Sequence, residues 1–125
     1  MKIEILYSEL VALIEKRFNV KIEELKYIAP SKIHLKFKAI RCDIEVVERR
    51  KSSIDVALEN MSIATSFLIQ RFRNITGVDQ LSKYKFAIRF GKMDSLSEFF
   101  ETMELKNLEP EKSGIIVELK KRDVE

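Results

Sequence analysis

Between residues 32 and 39 the chain alternates without a break: Ile33, Leu35, Phe37 and Ala39 are apolar, while Lys32, His34, Lys36 and Lys38 carry basic groups. Successive side chains of a strand point to opposite faces, so this stretch reads as a half-buried strand, one side on a core and one in water. The pattern recurs at once, with Cys42, Ile44 and Val46 set against Arg41, Asp43 and Glu45. After a polar turn at Arg49-Arg50-Lys51-Ser52, Ile54, Val56 and Leu58 form a third apolar row. Strands joined by connections this short pair most economically as an antiparallel meander. A sheet with one apolar face must be covered, which makes helices elsewhere in the chain a requirement of the fold.

Helical spacing supplies them. Ile3, Leu6, Leu10, Leu13, Ile14 and Phe18 recur every three or four residues, with Tyr7 and Val11 widening the stripe. Asn19, which tolerates the left-handed conformation, is the expected stop. Val20 and Ile22 then return the period to two, and Tyr27-Ile28 lead into a turn at Ala29-Pro30-Ser31. A second helix is expected after Asn60 as its cap, with Ile63, Ala64, Phe67, Leu68 and Phe72 facing inward and Gly77 beyond its end. Tyr84, Phe86, Ile88 and Phe90 predict a further strand. Ser95-Leu96-Ser97-Glu98 has the capping-box form and opens a short helix through Leu96, Phe99, Phe100 and Met103. Leu105–Leu108 and Ile115–Leu119 predict a hairpin about Glu109-Pro110 and Gly114, with 120–125 a frayed polar tail. The expected fold is therefore a single α+β domain over residues 1–125. Its antiparallel sheet, a meander plus a C-terminal hairpin, packs against an N-terminal helix, a central helix and a short third helix.

Composition narrows the chemistry. A chain of 125 residues buries roughly two-thirds of its unfolded surface and needs neither disulfide nor metal for stability. It has one His and one Cys. A structural zinc site asks for four such ligands, and a nucleophile needs a base held by a third group. His34 and Cys42 are expected as near neighbours facing opposite sides of a strand pair, so no catalytic constellation, metal site or cofactor is expected. Gly77, Gly91 and Gly114 are isolated, unlike a phosphate-cradling loop. The acidic pairs Glu23-Glu24, Glu45/Glu48 and Glu98/Glu101 sit among Lys and Arg and read as solvated faces. Asn74-Ile75-Thr76 has the N-glycosylation pattern, but Glu4, Glu9 and Glu15 interrupt the first apolar residues, unlike an export signal. No run approaches the roughly 18 apolar residues of a membrane span. The expected location is the cytoplasm.

The charge balance bears on partners. Lys+Arg number 23 against 20 Asp+Glu, a net +3, yet the pI is about 9.0. Lys32, Lys36 and Lys38 form one row and Lys83, Lys85 and Arg89 another, a possible plate for nucleic-acid phosphates. Asp43, Glu45, Asp55 and Glu59 are expected to lie beside them, and no aromatic residues interleave for base stacking. A solvated sheet face is the better reading.

The runs Lys21–Ile28 and Ser31–Lys38, then Leu58–Met61 with its helix and the closing Ser113–Leu119, resemble small bacterial domains related to tubular lipid-binding proteins. The resemblance spans residues 20–119 and implies strands curling round a helix to enclose an apolar groove. The strands here are short for an extended tube, and such lipid proteins often carry export signals. The first functional expectation is thus a non-enzymatic binding domain holding a lipid-like ligand between sheet and helices. Leu13, Phe37, Phe67, Phe72 and Phe100 are its candidate lining residues, each equally suited to a core. The second is a protein-interaction or assembly module, a homodimer, because apolar helical faces outnumber what one small sheet can cover. The third is a nucleic-acid backbone binder using the lysine rows.

Overall fold

The structure is a computed structural model and describes residues 1–123. The chain runs β1 (Lys2–Leu6), α1 (Tyr7–Phe18), β2 (Glu24–Ala29), β3 (Lys32–Phe37), β4 (Ile40–Arg49) and β5 (Ser53–Glu59). It continues with α2 (Thr65–Arg73), β6 (Val78–Ser82), β7 (Lys85–Arg89), a 3-10 turn (Phe90–Lys92), α3 (Phe99–Thr102), β8 (Met103–Pro110) and β9 (Gly114–Lys121). The class is α+β with antiparallel pairing throughout, as the alternation required. The strands form two sheets rather than one: a six-stranded sheet in the order β2-β3-β4-β5-β7-β6, and a three-stranded sheet in the order β1-β9-β8.

The meander sets the larger sheet. Leu35 lies opposite Cys42, Ile44 opposite Leu58, and Val56 between Val46 and Phe86, so the apolar residues of four strands share one face. Phe86 and Cys42 are fully buried there. Leu105 and Leu119 of the smaller sheet belong to the same cluster, and Val11 and Ile14 of α1 and Leu68, Ile69 and Phe72 of α2 pack against it. The sheets are joined at the outer side of β8. Leu105 N–H donates to the Lys51 carbonyl at 2.6 Å. The Arg49 guanidinium donates to the Leu108 carbonyl, Glu109 and Ser31 Oγ at 2.8, 2.6 and 3.0 Å.

Several expected boundaries move. The first residues are a strand, not the start of a helix, because Lys2-Ile3-Glu4-Ile5 also alternates and finds a partner in β9. The helix begins at Tyr7, where the Glu9 carboxylate accepts the Leu6 N–H at 3.0 Å, and it ends at Asn19 in the left-handed conformation as expected. Val20 and Ile22 lie before β2, and Ile22 N–H is held by Glu15 at 2.8 Å. Asn60 closes β5 at φ 49° instead of capping α2, which starts at Thr65. Phe90 leaves the strand for the 3-10 turn and stacks on Phe100 at 5.7 Å. The region 95–98 is a turn without side-chain capping, α3 is a single helical turn, and Met103 opens β8. Strand β6 lacks the apolar alternation that betrays the others and was not expected. At the C-terminus, Lys120 and Lys121 belong to β9, and the Lys120 ammonium sits 3.1 Å from Glu104, so the frayed tail does not begin there. Residues 124 and 125 lie outside the described residues.

Candidate functional site

The charged face of the six-stranded sheet holds the chain's only His. In the β3–β4 hairpin, Phe37 pairs with Ile40, which puts His34 opposite Asp43 and Leu35 opposite Cys42. His34 Nδ1 lies 2.6 Å from Asp43 Oδ1, and Asn60 Nδ2 donates to the other carboxylate oxygen at 2.7 Å. The Glu24 carboxylate stands 3.9 Å from His34 Nε2. The sequence contained the means to find this: fixing the turn at Lys38-Ala39 fixes the pairing of residues 34 and 43. Cys42 lies on the opposite, apolar face, as expected, where burial pushes its thiol up to about 11. It therefore stays a neutral thiol at neutral pH, and the His34–Asp43 pair has no nucleophile from Cys42.

Burial of Asp43 opposes its ionisation, but the hydrogen bonds from Asn60 and His34, with the charges of His34 and Lys32, outweigh that and hold its carboxyl below the usual range. A group whose pKa is lower folded than unfolded contributes stability that is complete above its unfolded pKa of about 3.9 and lost as pH falls through the folded value. Asp43→Asn should therefore flatten the loss of urea resistance on acidification below about pH 4, relative to the parent. An unchanged acid limb in the variant would show that Asp43 is not a source of it.

Three of the six basic side chains in the two rows are answered by carboxylates, while among the described residues Lys38, Lys83 and Lys85 have none within ion-pair distance. Lys32 meets Glu59 at 3.0 Å and Glu45 at 3.8 Å, Lys36 meets Glu23 at 3.8 Å, and Arg89 pairs with Asp79. The Glu59 hydrogen bond raises the Lys32 pKa and keeps its charge in place. This face is an ion-pair lattice in water, where each pair contributes only about 0–1 kcal/mol.

The candidate lining residues divide. Phe37 and Phe100 are buried in the core cluster, and Phe72 packs against it with its ring 5.9 Å from that of Phe86. Leu13 on α1 and Phe67 on α2 stand in solvent, 60% and 68% exposed. Leu13 lines an open depression of about 390 Å³ together with Lys16 and Arg17. Fewer apolar residues than expected are thus covered by the sheets. Helix α1 carries Leu10, Val11, Leu13, Ile14 and Phe18 yet has no fully buried residue.

The second uncovered region is β1, directly before α1. Lys2, Ile3, Glu4 and Leu6 are all exposed. In its sheet, β8 is engaged on its outer side by Lys51 and Arg49, whereas among the described residues β1 pairs only with β9. Met1 and Leu119 exchange both backbone hydrogen bonds. Antiparallel alternation then directs the N–H and C=O of Ile3 and Ile5 toward β9, and those of Lys2 and Glu4 outward. No helix of the described residues is long and apolar enough to cross a membrane. Among them no group of His, Cys, Asp and Glu is arranged to hold a metal ion. No protein-family model, no curated protein and no solved structure matches the chain.

Proposed function

We propose that this protein is a non-enzymatic assembly module that forms a homodimer by pairing β1 with its copy in a second chain. The supporting observation is the open edge of β1. An edge strand presents unpaired backbone groups, a template for another strand, and the exposed charges that would blunt it, Lys2 and Glu4, are complementary between two copies. Here the edge is self-complementary in one register. With Ile3 opposite Ile3 of the second copy on a two-fold axis, Lys2 faces Glu4 and Glu4 faces Lys2. The same register makes Lys2 and Glu4 the hydrogen-bonded pairs, which matches the outward direction of their backbone groups. Registers centred on residue 2 or 4 would set like charges opposite each other, which is unfavourable. The result is a continuous six-stranded sheet built from two three-stranded ones. The exposed Leu13 and Phe18 of α1 add apolar surface beside it.

Charge exchange tests this without touching the core. Lys2→Glu alone and Glu4→Lys alone should each weaken dimerisation, by about tenfold in the dissociation constant for a favourable pair turned repulsive twice over. The double variant K2E/E4K should restore the parent value in sedimentation velocity. A monomer at all concentrations, or two single variants that dimerise like the parent, contradicts the assignment.

A lipid-like ligand is the second reading, favoured by the depression at Leu13, Lys16 and Arg17. Native mass spectrometry separates the two. A parent protein carrying extra mass of lipid size as a monomer supports the ligand, whereas a ligand-free dimer supports the assembly module.

A further inference from the structure

Where the two sheets approach, a cleft of about 300 Å³ opens between parts of the chain far apart in sequence. Ser52 and Ser53 enter it from the start of β5, Arg89, Gly91 and Lys92 from the end of β7 and its 3-10 turn, Ser97, Phe100 and Glu101 from the α3 region, and Arg122 from beyond β9. The charge in it is one-sided, with three cationic side chains against the single carboxylate of Glu101. Ser53 and Arg89 are directly opposite in the β5–β7 ladder, so their side chains share a face. Arg89 is already paired with Asp79. Arg122 is different. Its Nε donates to the Phe100 and Met103 carbonyls at 2.7 and 3.2 Å, and its backbone N–H to the Thr102 carbonyl at 2.9 Å. Those neutral acceptors fix the guanidinium in place, and its charge reaches Glu104 only from beyond ion-pair distance, where Lys120 and Lys51 already pair with that carboxylate. Among the described residues neither Arg122 nor Lys92 has a carboxylate within ion-pair distance, unlike Lys32, Arg49 and Arg50.

We propose that this cleft binds a small molecule through its phosphate group. An anchored guanidinium and a mobile ammonium are complementary ways to hold a phosphate, one by a fixed fork of N–H donors and one as a point charge. The Ser52, Ser53 and Ser97 hydroxyls supply donors for the remaining oxygens. The Phe100 ring, stacked on Phe90, gives an apolar wall for the organic part of an ester. The size of the cleft suits a small metabolite and not a polymer. The site is independent of the β1 edge.

The test is a titration of the ¹⁵N-labelled full chain with inorganic phosphate and, separately, with glycerol 3-phosphate, followed by amide shifts. The expected result is saturable movement centred on Ser53, Gly91, Lys92 and Arg122. Binding should be tighter at pH 8 than at pH 5.5, because the second phosphate ionisation, near pH 6 for an ester and about a unit higher for inorganic phosphate, adds charge. Equal affinities assign recognition to phosphate alone, and tighter binding of the ester assigns part of it to the organic group. Lys92→Ala, at an exposed position, and Arg122→Gln should each weaken binding about tenfold, the scale of one charge-assisted contact. Shifts that never saturate, that centre elsewhere, or that survive unchanged in both variants overturn the site.

Discussion

Phe86→Ala is expected to be the most destabilising single truncation among the described residues, lowering stability by about 3–5 kcal/mol. Phe86 is 1% exposed, the largest of the fully buried side chains, and stands on β7 opposite Val56. Its ring meets Phe72 of α2 in a tilted pair, so truncation removes the contact that seats the helix as well as the transferred surface. The cavity adds to the loss, because a sheet held on both sides by ladder hydrogen bonds cannot collapse into it. With a urea dependence of about 2 kcal/mol/M for a domain of this size, the midpoint should fall by about 2 M. A fall below about 0.5 M would mean that the core is loosely packed at Phe86.

Gly114→Ala comes next, and its sign is the informative part. Where the backbone can accept it, this exchange stabilises by about 0.4–1 kcal/mol, because alanine has fewer unfolded conformations to lose. Here a β-carbon on Gly114 would stand 2.2 Å from the Ile5 carbonyl oxygen and 2.9 Å from the Leu6 Cα, both backbone atoms. Neither can turn aside as a side chain would. Gly114 pairs with Leu6 at the end of the β1–β9 ladder, so the clash separates β1 from β9, its one partner among the described residues. A cost of about 1–3 kcal/mol or more is expected, the scale of overpacking in a closed site. Hydrogen exchange should locate it: Ile3 and Ile5 amides lose protection while those of β4 and β5 keep theirs. A variant as stable as the parent, with β1 protected, would falsify the close approach of the two strands. Phe86 and Gly114 thus probe the two sheets separately.

What could be read from the residues follows from which interactions are local. The meander was legible because Ile33 to Phe37 and Cys42 to Val46 alternate between core and water, and short turns leave one pairing. The hairpin of β8 and β9 followed from the same rule. The ends of the chain were not legible. Ile3 and Leu6 continue the helical spacing while Ile3 and Ile5 alternate as in a strand, and the choice is made by β9, which lies more than a hundred residues away. Strand β6, Val78–Ser82, has one buried residue and is held as a strand by β7 rather than by its own pattern. Asn60 resembled a helix cap, but its side chain was drawn instead to the Asp43 carboxylate across the sheet.

The candidate sites were still less legible. Apolar residues at helical spacing signal that a face needs covering, not what covers it. Phe72 and Phe100 find the core, while Leu13 and Phe67 do not. Likewise Arg122 fell in what looked like a polar tail, and its anchoring by the Phe100 and Met103 carbonyls is visible only once the sheets are in place. The free edge of β1 needed the sheet order before it could be seen at all.

That edge is the centre of the functional account, and amide hydrogen exchange measured across a concentration series tests it most directly. The outward amides of Lys2 and Glu4 should exchange as open groups at the lowest concentration and become protected as the chain concentration rises. Ile3 and Ile5, already bonded to β9, should stay protected throughout. Lys2 and Glu4 amides whose exchange is indifferent to concentration, in a chain that sediments as a monomer, would contradict the proposal that β1 pairs with itself.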